Sequence, residues 1–139
     1  MRTILQNTVA LAFGLVLGSF INMGIIMMSG HIIPPPAGAD ITTEEGLKAS
    51  MHLFGIENFI FPFLAHAIGT FVGALFAFWV AKSYRLVFAL IIGFVFLLGG
   101  TYMVFVLPSP IWFNIIDLVF AYIPMAYLAT RCVPVKSNK

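Results

Sequence analysis

The stretch ILQNTVALAFGLVLGSFINMGIIMM, from Ile4 to Met28, decides the fold class. It holds no charged residue. At 1.5 Å of rise per residue, about 20 apolar residues span the roughly 30 Å of a bilayer's hydrocarbon, and this run is longer than that. Three more stretches pass the same test: Phe59 to Ala81 with one ionisable group, His66; Leu86 to Leu107 with none; and Ile111 to Thr130 with Asp117. The reading is an all-α bundle of four transmembrane helices, at about 4–29, 58–81, 85–107 and 111–130, forming one domain over residues 1–139.

Composition agrees. The 139 residues are 61% hydrophobic and 9% charged, with a mean hydropathy of +1.06, whereas a soluble domain carries about 25% charged residues to keep its surface in water. So little charge cannot cover a water-facing surface, and lipid is the expected partner of most of it. The net charge of +2 gives no basic stripe of the kind that binds nucleic acid. With Cys132 as the single cysteine, no intrachain disulfide, redox pair or cysteine-based zinc site forms. The first span is too long for a signal peptide and ends in Met27-Met28-Ser29-Gly30-His31 instead of a small-x-small cleavage site, so it reads as a retained helix.

Orientation follows from the basic residues. Arg2, Lys82, Arg85, Arg131, Lys136 and Lys139 flank one end of the spans, and Lys48 alone lies in the opposite loop, outnumbered by Asp40, Glu44 and Glu45. The positive-inside rule then places both termini in the cytoplasm. The external loop, about 31–56, opens with Pro34-Pro35-Pro36, an extended stretch, and Ala37-Gly38-Ala39-Asp40, a turn. Thr42 and Glu45 have the spacing of a capping box that starts a short helix. In it Leu47, Met51 and Phe54 share one face and Glu44, Lys48 and His52 another, with Glu44 and Lys48 spaced for an ion pair. Such an amphipathic helix rests on the outer membrane surface or closes over the bundle as a lid.

Helices in lipid associate through small residues and hydrogen bonds. Gly14 and Gly18 form such a face on the first span, with Asn22 further along the stripe, and Ala65, Gly69, Gly73 and Ala77 form one on the second; they meet within the chain or between subunits. Gly93 and Gly100 make a weaker version on the third span. Pro124 denies the Phe120 carbonyl its donor and should kink the fourth span, whereas Pro62 falls in a first turn where no donor is needed.

The informative residues are the polar ones inside the spans: Asn22, His66, Thr101, Tyr102, Asn114 and Asp117. At helical rise Asn22, His66 and Asp117 all lie roughly 10–12 Å from the external end. An intramembrane carboxylate needs a partner, and His66 is the other deep ionisable group, so an Asp117–His66 contact completed by Asn22, Thr101 or Tyr102 is expected. Three roles are open to it: interhelical glue, a proton or ion site, and a small-ligand or metal site. Catalysis would fall to His66 as base and Asp117 as its orienter. His31, Asp40, His52 and Glu57 share the external side but match no zinc or iron spacing, and Glu57-Asn58 reads as a helix cap. No phosphate loop, nucleophile elbow or cofactor motif is legible.

Ser29 to Pro36, Lys48 to Phe54 and Phe61 to Thr70 resemble small four-helix bacterial inner-membrane proteins of no known activity. The resemblance implies a bacterial inner membrane and no function. The missing redox cysteines set the chain apart from quinone-linked disulfide enzymes, and its intramembrane pattern from small multidrug exporters. The functional expectation is a non-enzymatic, oligomeric bundle whose polar site serves a proton, ion or small solute; an accessory subunit of a larger membrane complex and a membrane-embedded enzyme are the alternatives.

Overall fold

Every other long helix packs against Ile60–Val80, the helix richest in buried small residues: Ala65, Ala67, Gly69, Thr70, Gly73, Ala74 and Ala77 all face neighbours. In the computed structural model, which describes residues 2–133, six α-helices follow in order and no strand occurs among the described residues. They are α1 (Arg2–Ile32), α2 (Glu44–Ser50), α3 (Ile60–Val80), α4 (Arg85–Val106), α5 (Ile111–Phe120) and α6 (Ile123–Arg131). Taking α5 and α6 together, four helical segments are long and apolar enough to cross a membrane. Lys136 and Lys139, part of the basic bias, lie outside the described residues. The end carrying Arg2, Lys82, Arg85 and Arg131 is called the basic end below, and the opposite one the loop end.

The two glycine faces do meet within the chain. A Cβ added at Gly18 would stand 2.6 Å from the Gly69 carbonyl oxygen, and one at Gly73 would stand 2.6 Å from that of Gly14. Neither position tolerates a side chain, so the glycines let α1 and α3 touch backbone to backbone. Towards the basic end the remaining interior is filled by Ala74, Ala77, Phe78, Ala89, Ile92, Ala126 and Ala129, with Ile92 fully buried. Gly93 on α4 takes up Ala126, whose Cβ lies 2.7 Å from where a Gly93 Cβ would be.

Side chains close the helix ends. Gln6 Nε2 donates to the Val80 carbonyl at 2.9 Å, and the Arg85 guanidinium donates to the Trp79 and Ala81 carbonyls at 2.8 and 3.0 Å. These donors satisfy carbonyls that the end of α3 would leave open. Asn7 joins α1 to the next turn, donating to Ser83 Oγ at 2.8 Å and accepting from the Lys82 amide at 2.9 Å.

At the loop end α1 runs further than expected, to Ile32, and stops there because Pro34 forces the residue before it out of helical geometry. A turn follows, with the Ala39 amide donating to the Pro36 carbonyl and Gly38 at φ 85°. The cap of α2 is Thr43, not Thr42: its hydroxyl accepts from the Gly46 amide at 2.9 Å. Asp40 accounts for the shift, since its carboxylate accepts from both the Thr42 amide (2.9 Å) and the Thr42 hydroxyl (2.6 Å). The Glu44–Lys48 ion pair forms at 2.7 Å. Leu47, Met51 and Phe54 pack on Phe59, Phe63, Leu107 and Phe113, so this segment seats on the bundle in the lid arrangement.

The fourth span is not one kinked helix but two pieces. α5 ends at Phe120, Ala121 and Tyr122 form a turn, and α6 restarts at Ile123 with Pro124 in its first turn. Tyr122, at φ −114° and ψ −84°, leaves helical geometry, and Pro124 then sits where its missing donor costs little.

Candidate functional site

Asp117 closes the last turn of α5, and only 4% of it is exposed. A carboxylate this deeply buried needs donors, and it has two. His66 Nδ1, from α3, lies 2.9 Å from each carboxylate oxygen, and the Tyr122 hydroxyl donates to Oδ2 at 2.8 Å. The Tyr122 ring also stacks on the His66 ring, with centroids 5.7 Å apart and planes inclined by 28°. Position 100 has to be glycine for this, because any Cβ there would run into the Tyr122 hydroxyl and ring.

The geometry sets the imidazole's chemistry. With Asp117 ionised and only accepting, Nδ1 carries the shared proton and Nε2 is the nitrogen left free. The histidine side chain is 24% exposed against 6% for the aspartate, so the ring is far more reachable than the carboxylate.

What reaches the ring is a pair of cavities. The outer one, about 520 Å³, runs from the lid segment down between α1, α3, α4 and α5. Its wall is mostly apolar, with Ile26, Met27, Leu47, Phe59 and Phe113, and His66 and Asp117 lie on it. The inner one, about 310 Å³, is lined by Asn22, Thr70, Phe96, Tyr102 and Tyr122. His66, Gly100 and Met103 belong to both walls.

Of the residues singled out from sequence, the structure pairs His66 with Asp117 as expected. Asn22 and Tyr102 reach the inner cavity beside His66 but do not complete the Asp117 hydrogen bonds; Asn22 Oδ1 is buried with no partner. Thr101 is not part of the cluster, because its hydroxyl donates to the Leu97 carbonyl of its own helix at 2.7 Å. Asn114 lines the outer cavity but spends its amide on the turn before α5, accepting from the Ser109 hydroxyl at 2.6 Å. Two site residues escaped the sequence reading. Tyr122 lies five residues from Asp117, about 140° around a regular helix, and reaches it only through the break. Thr70, one turn from His66, is an ordinary helical threonine by sequence.

No group of three or more His, Cys, Asp or Glu side chains that could hold a metal occurs among the described residues; His31, Asp40, His52 and Glu57 do not assemble into one. No protein-family model, curated protein or solved structure matches the chain. The functional reading therefore rests on the residues and their geometry.

Proposed function

We propose that this chain is a multi-pass inner-membrane protein, both termini cytoplasmic, that binds a small uncharged solute from the external or lipid side and is not an enzyme. The observation that carries the reading is the position of His66: its ring is fixed through Nδ1 by Asp117 and forms part of the wall of an apolar cavity large enough for a small molecule. Ligand sites of about 300–1,000 Å³ with a few convergent polar groups fit that description. Lys and Arg are missing from the cavity wall, and Asp117 is committed to His66 and Tyr122, which favours a neutral ligand over an ion. The tight α1–α3 contact and the core around Ile92 lie between this site and the basic end, which favours binding or sensing over conduction. The exposed face of α1, with Phe13, Val16, Phe20 and Met23, is left for lipid or for a further subunit.

The test is the protein purified from membranes. Wild type should carry an uncharged, lipid-extractable molecule detectable by native mass spectrometry, and His66→Ala should come out empty. An empty wild-type protein that supports pH-driven flux in proteoliposomes would overturn the reading. Reporter fusions at Lys82 should read cytoplasmic and those near Ala39 and Ser109 external.

A second reading takes the same dyad as a general base, because a histidine held by a carboxylate with its other nitrogen accessible is suited to accept a proton. It predicts that the bound molecule is chemically changed by wild type and recovered intact from Asp117→Asn.

A further inference from the structure

Thr70 sits in the middle of α3, 1% exposed, and its hydroxyl has no hydrogen-bond partner. A threonine inside a helix ordinarily donates to the carbonyl three or four residues back. Thr8, Thr101 and Thr130 do so here, to Ile4, Leu97 and Tyr127. Across from Thr70, Asn22 Oδ1 on α1 is likewise buried and unpartnered. Both residues line the inner cavity, which also reaches His66. An unsatisfied buried polar group costs about 1–3 kcal/mol, so two of them on one cavity call for an occupant that satisfies both.

We propose that the inner cavity is the subsite for an uncharged hydroxyl head group, held by Thr70, Asn22 and His66, on an amphiphile whose apolar body fills the outer cavity. The inference rests on the outer cavity being a ligand site, as argued above, and adds the chemical class of the ligand.

The donors and acceptors select a hydroxyl. Its O–H donates to Asn22 Oδ1 or to a neutral His66 Nε2, and its lone pairs accept from the Thr70 hydroxyl or from a protonated His66. A hydroxyl is therefore paired in either protonation state of the ring and in either orientation of the asparagine amide. An anionic head finds no Lys or Arg on this wall. A cationic head finds no free carboxylate, since both Asp117 oxygens are engaged. The two cavities adjoin at His66, Gly100 and Met103, which gives a head and a tail one continuous route.

The test uses the full chain in lipid nanodiscs, with a photoactivatable diazirine analogue of hexadecanol and the methyl ether of the same probe. The alcohol should label residues around the inner cavity and bind about tenfold more tightly than the ether, the margin expected when one or two buried hydrogen bonds are lost. Asn22→Ala should reduce that preference while leaving ether binding unchanged, whereas Thr70→Val should weaken both probes, because the ether oxygen accepts from the same hydroxyl. Thr70→Val should also raise the melting temperature of ligand-free protein, because it deletes an unpaired buried hydroxyl at constant shape; a purely structural hydroxyl would give the opposite sign. The proposal is overturned if alcohol and ether bind alike, which would leave the inner cavity to water, or if Thr70→Val lowers the stability of the empty protein. Failure of both probes to bind would overturn the ligand site at His66, and this subsite with it.

Discussion

Tyr122 donates a hydrogen bond to Asp117 across a helix break, at 2.8 Å, although a continuous helix would turn the two residues to different faces. The break that Pro124 induces is thus what completes the site: it returns the tyrosine hydroxyl to the carboxylate and lays its ring against His66. Tyr122→Phe keeps the ring and removes one donor, so it should cost about 1 kcal/mol of stability. His66→Ala and Asp117→Asn should each cost more, and the double variant less than their sum by about 1 kcal/mol, as contacting residues require. Strict additivity in detergent melting experiments would show that the contact contributes nothing.

The Gly100 position offers a separate check on the same tyrosine. Gly100→Ala should destabilise the wild type by about 1–3 kcal/mol, the usual range for overpacking, because its Cβ collides with Tyr122. In a Tyr122→Ala background the same substitution should be close to neutral. A cost equal in both backgrounds would place the strain somewhere other than the Tyr122 ring.

Along α1 the glycines are not equivalent. A Cβ at Gly18 meets the Gly69 carbonyl oxygen at 2.6 Å, whereas one at Gly24 meets nothing within 4 Å. Gly18→Ala should therefore lower the melting temperature, while Gly24→Ala should leave it unchanged or raise it, alanine being favoured over glycine in a helix by about 1 kcal/mol. Equal behaviour of the two variants would remove the close α1–α3 approach from the description of the fold.

Outside the spans, the pH response of the loop follows from Asp40. The Thr42 hydroxyl and amide hold its carboxyl below the usual 3.8. A depressed folded-state value means that the turn gains stability from the carboxylate above pH 3.8 and loses it as the pH falls through the lowered value. Amide exchange at Thr42 should accordingly speed up below that pH, and Asp40→Asn should flatten the dependence. The Lys48–Glu44 pair is solvent-exposed and should contribute little.

The site was half legible in the chain. His66 and Asp117 stood out because the long apolar helices hold so few ionisable groups, and counting residues from the loop end put them at one level. Thr101 was wrongly grouped with them, because depth along a helix says nothing about which way its hydroxyl turns. Asn114, one helical turn outward of Asp117, is engaged by Ser109, a local hydrogen bond that depth does not reveal.

What the sequence by itself determined is the set of long apolar helices, the small-residue faces on α1 and α3, though not that they meet within one chain, and the position of the Pro124 break, because each follows from local chemistry: hydropathy over about 20 residues, the missing Cβ, the missing amide proton. The tertiary structure alone decided that Tyr122 completes the site and that Thr70 and Asn22 stay unpaired around a cavity. Those facts depend on the rotation of α6 after the break and on the gap left between α1, α3 and α4, and both are set by packing among residues distant in the chain.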